Sequence, residues 1–307
     1  MVKRLLWWLS LILLVVLGLS YRHYLAFQED AFAKWAMDSQ LTQTPQGPVE
    51  FQRKGAGIPL LQFHGTPSSY RGNLNFPIYQ SLFDQGFELI SPSRPGYMRT
   101  PLSTGRTPAA QADAFSALVS QLGYDKVVVV GISGGGPSAL AFAERHPDQC
   151  RALVLIEALA LPIDANAQDL SSYARLLTLV LDHNFLAWLV ASPLFSHFLP
   201  EGPQQQMSEE FAEYLAMFPH FEAGMRNDAE QFKRLAPLPP QLTPCPTLIL
   251  HGLDDQVVPF DNATAMLAQI PGAKLVPFKG AGHELFYSHA AQISQAVADF
   301  VKTPRAP

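Results

Sequence analysis

The chain has 307 residues, of which 48% are hydrophobic and 15% charged, with a formal net charge of −5. This balance excludes a disordered chain, which needs low hydrophobicity and high charge. The absence of a long basic run argues against a nucleic-acid partner. The length holds one large domain or two ordinary ones around a sizeable core. Two cysteines are too few for a disulfide scaffold or a zinc cluster. The 26 prolines point to a loop-rich enzyme rather than a coiled coil.

In chain order, the first element is the uncharged run Leu5–Tyr21, preceded by Lys3 and Arg4 and followed by Arg22 and His23. Its length is at the short end for a membrane-spanning helix, and Trp7, Trp8 and Tyr21 lie where interfacial aromatics belong. The expectation is a single-pass N-terminal anchor over residues 1–22. Lys3 and Arg4 favour a cytoplasmic N-terminus, so the remainder is expected outside the cytoplasm. A cleaved signal peptide, with Gly18-Leu19-Ser20 as its site and a secreted product, and a greasy helix docked on the domain are the alternatives. Residues 23–48 are expected to continue as a helix, with Leu25, Phe32 and Trp35 on the domain, and then to form a linker over the polar residues 38–48.

From Val49 onward, short apolar runs alternate with helical patterns. Pro59–Phe63, Phe87–Ser91, Lys126–Ile132, Ala152–Ile156, Thr247–His251 and Ala273–Phe278 read as strands; Thr107–Leu122, Pro137–His146 and Asp261–Ile270 read as helices. Near-continuous apolar runs suit parallel strands covered on both faces. The expected class is α/β, a doubly wound, mostly parallel sheet over residues 49–302. About ninety residues separate the strand ending at Ile156 from the one starting at Thr247, too many for a simple crossover. Residues 159–240 are therefore expected to form a helical cap inserted in the sheet domain. A second membrane span at 175–199 is disfavoured by Asp182, His183, Asn184 and Pro193.

Gly131-Ile132-Ser133-Gly134-Gly135 is a G-x-S-x-G directly after an apolar strand and before a helix, the context in which that motif forms a nucleophile elbow. The turn lifts the Ser133 hydroxyl above the sheet edge and needs small neighbours at Gly131 and Gly135. A serine hydroxyl needs a base. His283, in a glycine-flanked loop after the last strand, is the candidate, where such sheets place active sites. His251, inside a strand end, reads as a brace for the acid loop. The acid falls at Asp255 or Asp254, with Asp254 the loop-capping carboxylate if Asp255 is the triad member; Glu157, which ends the strand after the elbow, is a rarer alternative. Two backbone N–H groups are expected to bind an oxyanion: Gly134, after the nucleophile, and Thr66, in His64-Gly65-Thr66-Pro67.

His64-Gly65-Thr66-Pro67, Ser93-Arg94-Pro95-Gly96-Tyr97, Gly131–Gly135, Gly252–Pro259 and Gly282-His283 together resemble the α/β-hydrolase fold superfamily, in its capped serine-hydrolase form, over about Val49 to Val301. The G-x-x-D-x-x-V-P spacing of Gly252–Pro259 favours Asp255 as the acid. Two departures stand out: the elbow reads Ser-Gly-Gly-Gly rather than Ser-Met-Gly-Gly, and Met98 follows the aromatic Tyr97 where a small residue is usual. A serine nucleophile does not fit the dehalogenase and epoxide-hydrolase branches. The resemblance implies a serine hydrolase with the triad Ser133, Asp255 and His283, acting through an acyl-enzyme on a small-molecule acyl substrate with no metal or cofactor. A carboxylic ester is the first expectation. An amide, lactone or carbon–carbon bond substrate is the runner-up, and an idle, membrane-tethered binding protein is the reading from another class. With the cap as an insertion, Cys150 and Cys245 precede neighbouring strands, which lie ~4.8 Å apart, within disulfide reach. Two buried thiols are the default there; a disulfide requires a domain outside the cytoplasm.

Overall fold

The computed structural model describes residues 2–74, 76–163, 184–191, 211–239 and 245–303. About half of the segment read as a cap, and the disfavoured span at 175–199 apart from 184–191, lie outside them. The chain divides into two compact units, Met1–Asp38 with Ser172–Pro219, and Ser39–Ser171 with His220–Pro307.

In the first unit, α1 runs unbroken over Val2–Asp38. Its apolar window has a mean hydropathy of 2.0 and is 0% buried, so it is long and apolar enough to cross a membrane and is not docked on the other described residues. Packing begins further along, where Tyr24, Ala31 and Trp35 form one buried stripe. Leu25, expected on that face, is 41% exposed instead. The partner of the stripe is α2 (Asn184–Ala191). Its fully buried Trp188 sits among the rings of His23, Tyr24, Phe27 and Phe185. Lys34 pairs with Glu213, and Gln28 donates to the carbonyl of Ala216.

The second unit is an eight-stranded sheet in the order β1-β2-β4-β3-β5-β6-β7-β8. Its strands are β1 (Gln40–Thr44), β2 (Gly47–Gly55), β3 (Ile58–Phe63), β4 (Phe87–Pro92), β5 (Val127–Ile132), β6 (Cys150–Ile156), β7 (Thr247–Gly252) and β8 (Lys274–Phe278). β1 and β2 pair antiparallel, as do β2 and β4; every other neighbour pair is parallel. The six expected strands are β3 to β8. Residues 40–55, the first of them read as linker, instead form an edge hairpin. Its sequence, QLTQT and GPVEFQRKG, has neither an apolar run nor a clean alternation, because β1 is largely solvent-facing. Its one deeply buried charge, Glu50, is matched by Arg99, Ser93 and Ser39.

Successive side chains of the central strands serve opposite faces. Leu61, Val129, Leu153 and Ile249 pack with Phe115, Phe142 and Met266 on one side. Leu60, Val128, Val154 and Leu250 pack with Tyr79, Leu82 and Val297 on the other. Those faces are covered by α5 (Pro108–Gln121), α6 (Gly136–Arg145) and α8 (Asp261–Gln269) on the first, and by α3 (Tyr70–Leu74), α4 (Pro77–Asp84) and α10 (Ala290–Lys302) on the second. Double coverage is why the strands read as continuous apolar runs. Two further helices are α7 (Glu222–Lys233) and the short α9 (Leu285–Ser288). Cys150 and Cys245 are joined as a disulfide, with Cα atoms 6.2 Å apart and a sequence separation of 95. This overturns the default of two thiols: β6 and β7 are adjacent, and the bond closes the base of the long insertion.

Candidate active site

The site lies at the carboxyl ends of β3, β5, β6, β7 and β8. β5 ends at Ile132, and Ser133 follows with φ +49, in the left-handed region that disfavours a side chain. The glycines around it answer to close approach. A Cβ on Gly131 would come to 2.6 Å from that of Ala139, and one on Gly135 would strike the carbonyl of Phe63. After one 3-10 turn over Ser133–Gly135, α6 begins at Gly136.

Ser133, His283 and Asp255 come together across 150 and 28 positions of sequence. Ser133 Oγ is 2.9 Å from His283 Nε2, and His283 Nδ1 is 2.8 Å from Asp255 Oδ2. A carboxylate only accepts, so Nδ1 carries the proton toward Asp255 and Nε2 accepts from the Ser133 hydroxyl. Asp255 Oδ1 accepts the N–H groups of Val257 and Val258, both at 2.9 Å. Asp255 therefore also caps its own loop, the work expected of Asp254, which is exposed. His251 lies on the far side of the acid, its Nε2 2.8 Å from the carbonyl of Val258 and 3.4 Å from Asp255 Oδ2, as expected of a brace. Burial alone would raise the Asp255 carboxyl. The hydrogen bonds from His251 and His283 outweigh it and hold the group well below the usual carboxylate range.

The loop after β3 passes directly over the elbow. A Cβ on Gly65 would lie 3.3 Å from Ser133 Cβ, and one on Gly134 would meet Thr66 Oγ1 and, at 2.9 Å, the ring of Phe232. Thr66 and Gly134, the two residues expected to supply N–H donors, thus face one another beside Ser133.

Sequence reasoning gave no role to the residues that fix this loop. His64 is fully buried, with Nδ1 2.8 Å from the carbonyl of Gly65 and Nε2 accepting the N–H of Arg94. Burial, then the charge of Arg94, push its ring well below the ordinary histidine range, so it stays neutral and uses both nitrogens. Buried Arg94 donates through Nε to the carbonyl of His64, to Thr66 Oγ1 at 2.9 Å, and to both oxygens of Asp228. Asp228, on α7, also accepts from the hydroxyls of Thr66 and Tyr97. The signal available in sequence was Arg94 inside an otherwise uncharged Pro-Gly loop; its partner, 134 positions away, had none.

A second carboxyl borders Asp255 and His283. Glu157 directly follows β6, is fully buried and has φ +48. Burial first, then the charge of Asp255, push it up to about 9, against a weaker opposing bond from the Leu285 N–H. Among the described residues, Glu157, Asp255 and His283 are the group whose ligand atoms cluster tightly, within 4.8 Å. Within that group Asp255 and His283 are hydrogen-bonded to each other.

The sequence profile of the α/β hydrolase fold matches residues 58–290. The chain belongs to the α/β-hydrolase fold family and is a hydrolase. It is similar to the uncharacterised hydrolase YcgS of Bacillus subtilis (26% identical, 84% of this chain and 96% of that one). A 2-hydroxymuconate semialdehyde hydrolase of Pseudomonas putida is 29% identical over 81% of this chain and 88% of its own. Among solved structures, an α/β hydrolase fold protein from Nakamurella multipartita superposes with a TM-score of 0.64 at 27% identity, over 86% of this chain and 98% of that one.

Proposed function

We propose that the protein is a serine hydrolase that cleaves a carboxylic ester through an acyl-enzyme. The observation that carries this is the unbroken hydrogen-bonded chain from Ser133 Oγ through His283 to Asp255. Ser133 attacks the carbonyl carbon while its proton passes to His283 Nε2, and Asp255 stabilises the imidazolium and fixes its tautomer. The N–H groups of Thr66 and Gly134 hold the oxyanion. His283 then protonates the departing alkoxide, leaving the acyl group on Ser133. Water attacks that ester, gives its proton to His283, and the carboxylic acid leaves as the proton returns to Ser133. The inserted segment after β6 serves as the cap. The exposed apolar half of α1 tethers the enzyme to a membrane, and the Cys150–Cys245 disulfide fits a catalytic domain on the non-cytoplasmic side.

A carbon–carbon bond hydrolase is the second reading, favoured by the likeness to the 2-hydroxymuconate semialdehyde hydrolase of Pseudomonas putida. Turnover of an acyl-chain series of esters beside amide, lactone and vinylogous diketone substrates, by wild type and Ser133→Ala, separates the two. Ester turnover that vanishes in Ser133→Ala supports the proposal. Turnover of the diketone alone moves the assignment to carbon–carbon bond cleavage.

A further inference from the structure

Glu157 is a buried carboxyl for which the mechanism above has no use. It stands one strand from Asp255, with its backbone in a region that costs a non-glycine residue energy. Its Oε1 accepts the Leu285 N–H at 3.3 Å, and its Oε2 has no hydrogen-bond partner among the described residues. The charged and titratable groups facing it are Asp255, with His251 behind, from the side of β7, and His283 and Glu284 from the loop before α9. Two carboxyls this close cannot both ionise cheaply. Asp255 takes the charge because it has two N–H donors and two histidines, whereas Glu157 has one long bond. Strain and an unpaired buried polar atom in one residue are costs that persist mainly at functional sites.

We propose that Glu157 is a second acid position of the relay, a positioning residue that orients His283 when Asp255 does not carry the charge. The proposal rests on the Ser133–His283–Asp255 reading. Removing the Asp255 side chain lifts the repulsion that keeps Glu157 neutral and vacates the seat beside His283 Nδ1. A carboxyl oxygen already within 4.8 Å then needs only a side-chain rotation to fill it.

The test is kcat/KM against pH for wild type, Asp255→Ala, Asp255→Ala with Glu157→Gln, and Ser133→Ala. Losing the triad acid outright costs about 10⁴-fold. Asp255→Ala is expected to lose only about 10²-fold, on an activity limb that ascends with pH as Glu157 ionises. Adding Glu157→Gln is expected to abolish that limb and cost about a further 10²-fold, reaching the loss of the acid outright. A purely structural Glu157 would not move the limb, and superposable profiles of the single and double Asp255 variants at every pH would overturn the proposal. Undiminished activity in Ser133→Ala or Asp255→Ala would instead overturn the triad reading, and this inference with it. If circular dichroism shows Asp255→Ala unfolded, Asp255→Ser replaces it in the same comparison, since its hydroxyl can still accept from the Val257 N–H while leaving the seat beside His283 open.

Discussion

At Ser133, a hydroxyl is forced into φ +49 so that its oxygen stands 2.9 Å from an imidazole whose other nitrogen is already committed to a carboxylate. Ser133→Ala and His283→Gln are each expected to lower kcat by at least about 10⁴-fold with little change in thermal stability, because members of such a relay act as one unit; steady-state kinetics beside thermal melts check this. Glu157 and Asp255 pull stability in opposite pH directions. The folded state keeps a proton on Glu157 up to about 9, while the unfolded chain releases it in the ordinary carboxylate range. The resulting stabilisation is complete at low pH and is lost progressively as pH rises toward 9. Asp255 is held below its ordinary range, so its contribution is present at neutral pH and is lost as pH falls into and below that range. Glu157→Gln, neutral throughout, is expected to melt above wild type by a margin that widens from pH 5 to pH 9. A constant margin would contradict the assignment of that proton.

At the scale of elements, α7, the loop after β4 and, through Thr66, the loop after β3 meet at one buried pair, Arg94 with Asp228, whose side chains are 1% and 3% exposed. Asp228→Ala leaves a lone buried guanidinium, so a loss of about 3–5 kcal/mol is expected in denaturant titration. Arg94→Met combined with Asp228→Leu leaves no lone charge and is expected to recover much of that stability. It should not recover kcat, because the His64–Thr66 loop has lost the donor and acceptor that fix it. Recovery of both would show that the pair serves folding alone.

Much of this scale was legible in advance. β3 to β8 announced themselves because burial on both faces leaves an apolar run, and Ser133, Asp255 and His283 because each follows a strand end in a glycine-bearing loop. The β1–β2 hairpin was not, since an edge pair needs no apolar run and Glu50 finds its partners only through folding. Asp228 was equally silent: an aspartate on a polar helix face reads as solvated until Arg94 arrives from 134 positions away. The helical stripe on α1 was misplaced by one position, from Leu25 to Tyr24, because a neighbouring large apolar residue carries the same signal.

At the scale of the whole molecule, one covalent bond and one exposed helix carry testable consequences. The Cys150–Cys245 bond closes a long loop between adjacent strands, and cross-links of this kind contribute about 2–5 kcal/mol. Replacing both cysteines with serine is expected to lower the melting temperature by that measure while leaving turnover of a soluble ester intact. Residues 2–19 of α1 are exposed throughout, whereas packing begins near Tyr24. Deleting residues 2–19 is expected to move the enzyme from the membrane pellet to the soluble fraction after alkaline carbonate extraction, with its activity retained. Solubility of the full chain under that treatment would contradict a spanning helix.

The central claim is that Ser133 is a nucleophile activated through His283. A fluorophosphonate probe, with the modified peptide located by mass spectrometry in wild type, Ser133→Ala and His283→Gln, tests it most directly. The account predicts one adduct, on Ser133, lost in Ser133→Ala and slowed by orders of magnitude in His283→Gln. Labelling of folded wild type at another residue, or none at all, would contradict it.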